Sequence, residues 1–159
     1  MIKTRYAGFI FIIALCGSPA SAQPTFIPRR ATAPHDAAKA YLIAKDYLDP
    51  MGGSCTIVRA DPASHTLIAE RSGIEPKDWD DWSYCKLSPD QMLDTLNNGK
   101  VKLTVSLDPA GKHSSNVAVT ADFNGTYGFA GRQTTVQCVS KGGLENRVLQ
   151  AVGAQPQGN

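Results

Sequence analysis

Between positions 78 and 84 the chain reads Asp78-Trp79-Asp80-Asp81-Trp82-Ser83-Tyr84, three carboxylates among three aromatic rings. Aromatic faces stack on sugars and cations, and carboxylates accept hydrogen bonds, so Trp79, Asp80, Asp81, Trp82 and Tyr84 form the leading candidate binding surface. The same residues also describe a loop pinned to its domain by Trp79 or Trp82. Glycoside cleavage needs two carboxyl groups held roughly 5–9.5 Å apart across a sugar ring. Neighbouring aspartates on one loop do not set that separation, and no catalytic residue is assigned.

The other reactive side chains are scattered. His35, His65 and His113 lie far apart in the sequence, with no pair at metal-ligand spacing. No two cysteines form a Cys-x-x-Cys pair, so neither a metal nor another cofactor is expected. No Gly-x-Ser-x-Gly elbow, Ser-x-x-Lys pair or phosphate-cradling glycine loop is present. Ser140-Lys141-Gly142-Gly143, ahead of a helical stretch, offers free N–H groups to an anion and equally describes a loose start to that helix. Asn124-Gly125-Thr126 matches a glycosylation acceptor and, more simply, a tight turn.

Compartment is the firmest reading. Lys3 and Arg5 precede the apolar run Ala7 to Leu15, and Ala20-Ser21-Ala22 supplies the small residues of a cleavage site before Gln23. Residues 1–22 therefore read as a secretory signal peptide. Its apolar run is about half the roughly 20 residues of a membrane span, and none later is longer, so the mature chain is expected to have no transmembrane segment. An alternative places a lipid on Cys16, because the residues before it partly resemble a bacterial lipobox, although Leu15 is bulky where that motif wants a small side chain. The host is read as bacterial on that ground, and the product as periplasmic or secreted.

Cleavage removes two of the 16 basic side chains and none of the 14 acidic ones, leaving a nearly neutral product. That balance argues against nucleic acid or a membrane surface as partner. Of the cysteines that remain, Cys85 and Cys138 each fall in a strand-like segment and are the expected disulfide, with Cys55 left over as an inert thiol. The sequence alone does not fix the pairing.

These side chains must be positioned by one small domain. Residues 23–33, with Pro24 and Pro28, read as a flexible leader. Pro34 suits the first turn of a helix, along which Ala37, Tyr41, Ala44 and Leu48 form one stripe until Pro50, Gly52 and Gly53 end it. A hairpin over 55–60 and 65–71 follows, then a loop over 72–80 and a short strand within 82–87. Ser88, Pro89 and Gln91 compose a capping box, and Leu87 with Met92 a staple, predicting a helix over 89–97 closed by Gly99.

Val101, Leu103, Val105 and Leu107 alternate with polar residues, as do Val117, Val119, Ala121 and Phe123, the two strands being separated by a turn-rich stretch over 108–115. Asn124-Gly125 predicts the next hairpin turn, into a strand over 133–139. Leu144, Val148, Ala151 and Val152 face inward on a last helix, with Glu145, Arg147 and Gln150 facing away. The expected fold is α+β: one domain over 34–153, an antiparallel sheet of five or six strands with the N-terminal, short middle and C-terminal helices on one face, and a disordered tail over 154–159.

The closing region, Cys138 followed by Leu144 and Glu145, loosely resembles small bacterial envelope proteins over the last third of the chain, with no motif that transfers a function. The expected function is an exported, non-catalytic binding or assembly protein of the cell envelope with a protein partner. The alternatives are a small secreted hydrolase of cell-wall glycan or peptide, and an inhibitor of such an enzyme.

Overall fold

The computed structural model describes residues 28–49, 55–88, 94–129 and 131–155. The signal segment, Cys16 and residues 156–159 lie outside the described residues. The described residues form an α+β domain in which three helices pack against a seven-stranded, antiparallel sheet.

Its centre is the pair β5 (Thr95–Gly111) and β6 (Ser114–Phe129), antiparallel along almost their whole length. The hairpin β2 (Cys55–Asp61) and β3 (Thr66–Ser72) extends the sheet beyond β5. On the far side of β6, β1 (Arg29–Ala33) takes residues 115–119 and β7 (Arg132–Ser140) takes residues 123–129. The two-residue β4 (Ser83–Tyr84) pairs β7 and forms that edge.

The period-2 alternation of β5 and β6 becomes two unlike faces. Cross-strand rows of apolar side chains, Leu67–Val105–Val119, Ala69–Leu103–Ala121 and Leu107–Val117–Ala31, are buried beneath helices. Helix α1 (Ala37–Leu48) covers β3, β5 and β6, and α3 (Gly143–Ala151) lies beside it over β6 and β1. α1 buries Ala37, Ala40, Tyr41, Ala44 and Leu48, the stripe its sequence spacing predicts. Asp36 caps this helix by accepting a 2.9 Å hydrogen bond from the Lys39 N–H, so the helix starts later than Pro34 suggests.

The opposite face is polar, and on it Glu70, Lys102 and Asp122 form one cross-strand row. Burial pushes the Asp122 carboxyl above the usual carboxylate range, and Lys102 partly opposes this. The folded state thus holds this proton to higher pH than the unfolded chain, so stability falls as pH rises through that window. Asp122→Asn should flatten this part of a urea-midpoint versus pH curve and gain on the order of 0.5 kcal/mol at neutral pH, limited by solvent screening. A variant with an unchanged pH profile would refute this.

Several expectations are corrected. Residues 29–33 of the supposed leader are a sheet strand, because Ala31 and Ala33 are small enough to pack under α3 while Arg30 and Thr32 face solvent. Residues 76–80 of the supposed loop and Trp82 of the supposed strand belong to helix α2 (Pro76–Trp82), with Pro76 at its start and Trp79 and Trp82 buried one turn apart. Of the predicted helix over 89–97, residues 89–93 lie outside the described residues, and 95–97 belong to β5.

The strand expected within 82–87 shortens to β4, and the turn-rich stretch shortens to Lys112-His113. Asn124-Gly125 lies inside β6 rather than in a turn. Glu145 is buried, accepting a 2.8 Å hydrogen bond from Ser140 Oγ. Ala154 of the supposed tail is packed, its N–H bonded to the Leu149 carbonyl.

Candidate functional site

The candidate residues do come together, at the corner where α2 runs into β4. Their orientations divide them. The Trp79 indole is 1% exposed and points into the core. Its Nε1–H donates to Tyr127 Oη at 3.0 Å and lies 3.3 Å from Cys85 Sγ, and its ring meets Phe123 edge-on at 5.4 Å between centroids. Burial raises the Tyr127 phenol above its ordinary value, with the Trp79 hydrogen bond acting in the opposite sense.

The ring fits because Gly99 and Gly125 face each other across β5 and β6 beneath it. A Cβ on Gly99 would come within 2.6 Å of Trp79 Cε3, and one on Gly125 within 3.0 Å of Cζ2. Two glycines side by side on the core face leave a slot one indole wide. This is the role of the glycine that reads as a hairpin turn in the sequence.

Trp82 is also buried, and two cationic side chains lean on it. The Arg71 guanidinium carbon is 5.1 Å from the ring centre and that of Arg147 is 5.9 Å. Arg71 occupies the same cross-strand row as Val101, Phe123 and Cys138, which places it on the helix-covered face of β3. The Trp82 carbonyl accepts from the Lys141 N–H, and the Lys141 ammonium donates to the Asp80 carbonyl. Asp80 and Asp81 are exposed on the outer side of α2.

Tyr84 is the candidate ring that faces outward, 63% exposed. Its cross-strand neighbour Val139 is 58% exposed, so the two form an apolar pair on the β4–β7 edge. Cys85, next in the chain, is disulfide-bonded to Cys138, next to Val139. A covalent link thus fixes the strand pair that carries the two exposed side chains.

No family model and no curated protein matches the chain. Among solved structures, it is similar to the crystal structure of a DUF4468 family protein from Bacteroides ovatus ATCC 8483. The identity is 12% and the TM-score 0.38. The match covers 69% of this chain and 59% of that one, and at this level of similarity it carries no argument about fold or function.

The remaining candidates stay apart. His65 packs edge-on against Tyr41, 6.1 Å between centroids, and His113 sits in the β5–β6 turn. Among the described residues no three His, Cys, Asp or Glu side chains converge as a metal site. The Cys55 thiol lies outside what is described. Gly142 donates its N–H to Ser140 Oγ at 2.9 Å, and the Arg29 guanidinium lies beside it at the start of α3. Thr126, in the acceptor-like triplet, lies 3.4 Å Oγ to Oγ from Thr135 on β7. On the open sheet face a groove of about 390 Å³ runs over Ala118 and Asn116 between Arg30, Thr32, Ser106 and Asp108. Among the described residues, no helix is long and apolar enough to cross a membrane.

Burial of Trp79 and Trp82 could have been read from their spacing, which puts both rings on one face of a helical turn beginning at Pro76. The two arginines had no such signal, since Arg71 and Arg147 are separated by 76 positions and meet only through Trp82.

Proposed function

We propose that the chain is an exported, non-catalytic binding or assembly protein of the bacterial envelope, which engages a protein partner through the β4–β7 edge. The observation that carries this reading is the Tyr84–Val139 pair, outward-facing on strands that a disulfide holds together. An apolar pair on a rigid edge loses little conformational freedom when covered, and tyrosine contributes large contact area with a polar tip. The Cys85–Cys138 bond supports an oxidising compartment, as does the signal-like start.

Site-specific photocrosslinking tests the reading in cells exporting the protein at native level. A photoreactive phenylalanine in place of Tyr84 should give one discrete protein adduct, absent when the probe replaces Lys112 and lost on adding Val139→Asp. No adduct from position 84 would sink the proposal. Glycan-degrading activity that disappears in Asp80→Asn/Asp81→Asn would replace it with the hydrolase reading.

A further inference from the structure

We propose that the groove across β1, β6 and β5 on the open sheet face binds a short peptide with free termini, its carboxylate at Arg30 and its ammonium at Asp108. The site is separate from the docking edge, since β1 pairs residues 115–119 of β6 whereas β7 pairs residues 123–129.

One small side chain makes the groove. From Asn116 to Thr126 every second residue of β6 faces the open side, and among these Ala118 alone lacks a polar side chain. Ser106 on β5 and Arg30 on β1 flank Ala118 in its cross-strand row, and Asp108, Asn116 and Thr32 form the next row. Longer side chains thus rise around a methyl floor and leave about 390 Å³ between them. That volume is at the lower end of the roughly 300–1,000 Å³ of small-ligand sites and suits a ligand of a few residues.

The two charges stand at opposite corners. From Arg30 to Asp108 the path crosses two strand spacings and shifts two residues along the strands, about 12 Å between backbones. β6 runs between them, and among the described residues neither has an ion-pair partner within 4 Å. Each is therefore left to a ligand group of opposite sign. A single amino acid is too short to meet both, whereas three extended residues span about 10 Å. The Arg30 and Asp108 side chains, which line the groove, close the rest of the gap.

Between the charged ends, the groove matches a peptide backbone. Thr32 Oγ1 donates to Asn116 Oδ1 at 3.3 Å, which uses the amide oxygen and leaves the amide nitrogen to donate to a peptide carbonyl. The Ser106 hydroxyl donates or accepts as the ligand requires. A neutral sugar would satisfy these groups but leave both charges unanswered, and a simple acid or amine would answer one.

The test is an amide NMR titration of the purified exported chain with trialanine at low ionic strength. Saturable shifts centred on residues 30–32, 106–108 and 116–118 are expected, with a Kd on the order of 1 mM because both charges are exposed to solvent. Arg30→Gln and Asp108→Asn should each weaken binding about three- to tenfold. Ala118→Leu should abolish it by filling the floor, with the amide spectrum outside the groove unchanged. Asp122→Asn, on the same face but outside the groove, should bind as the wild type does.

N-acetyl-trialanine and trialanine amide should each lose a factor similar to that of the matching charge variant, and free alanine should not saturate the groove. Equal affinity for the doubly blocked peptide, saturation by alanine, shifts centred elsewhere, or no saturation by trialanine would overturn the proposal. Saturation by maltotriose without a response to trialanine would overturn it in favour of a neutral glycan. The Tyr84 crosslink reads the other edge of the sheet, so its loss would leave these results untouched.

Discussion

Trp79→Ala should destabilise the domain by about 3–5 kcal/mol, lowering its thermal midpoint by roughly 10–20 °C. The substitution empties a slot whose floor is two glycines and whose sides are Phe123, Tyr127 and the disulfide, none of which can move far enough to fill it. It also leaves the Tyr127 hydroxyl without its indole donor in a buried setting. Gly99→Ala attacks the same contact from the other side and should cost about 1–3 kcal/mol, because its methyl overlaps the ring. In the Trp79→Ala background that methyl has room, and the cost of Gly99→Ala should largely vanish. Additive losses in this double-mutant cycle, measured by urea unfolding, would show that the two glycines do not form the indole slot.

The same contact explains why the sheet was easier to read than the corner. The strands are specified by alternation, which survives any tertiary arrangement as long as one face is covered; Val101 to Leu107 and Val117 to Phe123 satisfy it residue by residue. The disulfide partners were legible for a related reason, since each falls in a strand-like stretch of the sequence; Cys138 lies in β7 and Cys85 directly follows β4. Gly125 was misread because Asn-Gly is a turn signal in isolation, whereas here a ring from 46 positions earlier requires a residue without a Cβ.

The short α2 was missed on local grounds too. Seven residues with three aspartates offer little helical propensity, and the helix is held chiefly by the burial of two tryptophans against strands far away in the chain. β1 was read as a tether because five residues with two arginines show only two small apolar positions, and their burial depends on α3, more than 100 positions later. In each case a long-range contact overrode the local preference. The candidate site lies in the part of the chain where such contacts dominate, so its members were legible while their orientations were not.

Opening the Cys85–Cys138 bond should cost about 4 kcal/mol on the chain-entropy account, since the bond closes a loop with a sequence separation of 53. The local effect should exceed the global one. β4 has only two residues, α2 only seven, and the connection from Cys85 into β5 has no other covalent tie to the sheet. With Cys85→Ser/Cys138→Ser, Trp79 still anchors α2, but the pairing of Tyr84 with Val139 rests on a two-residue ladder that frays readily. Amide exchange should therefore accelerate most at 83–84 and 139–140 and least at 101–107, in the middle of β5. An even rise across the sheet would show that the bond acts only through the global unfolding equilibrium and does not fix this edge in particular. A double variant with unchanged exchange at Tyr84 would remove the physical basis for a rigid docking edge.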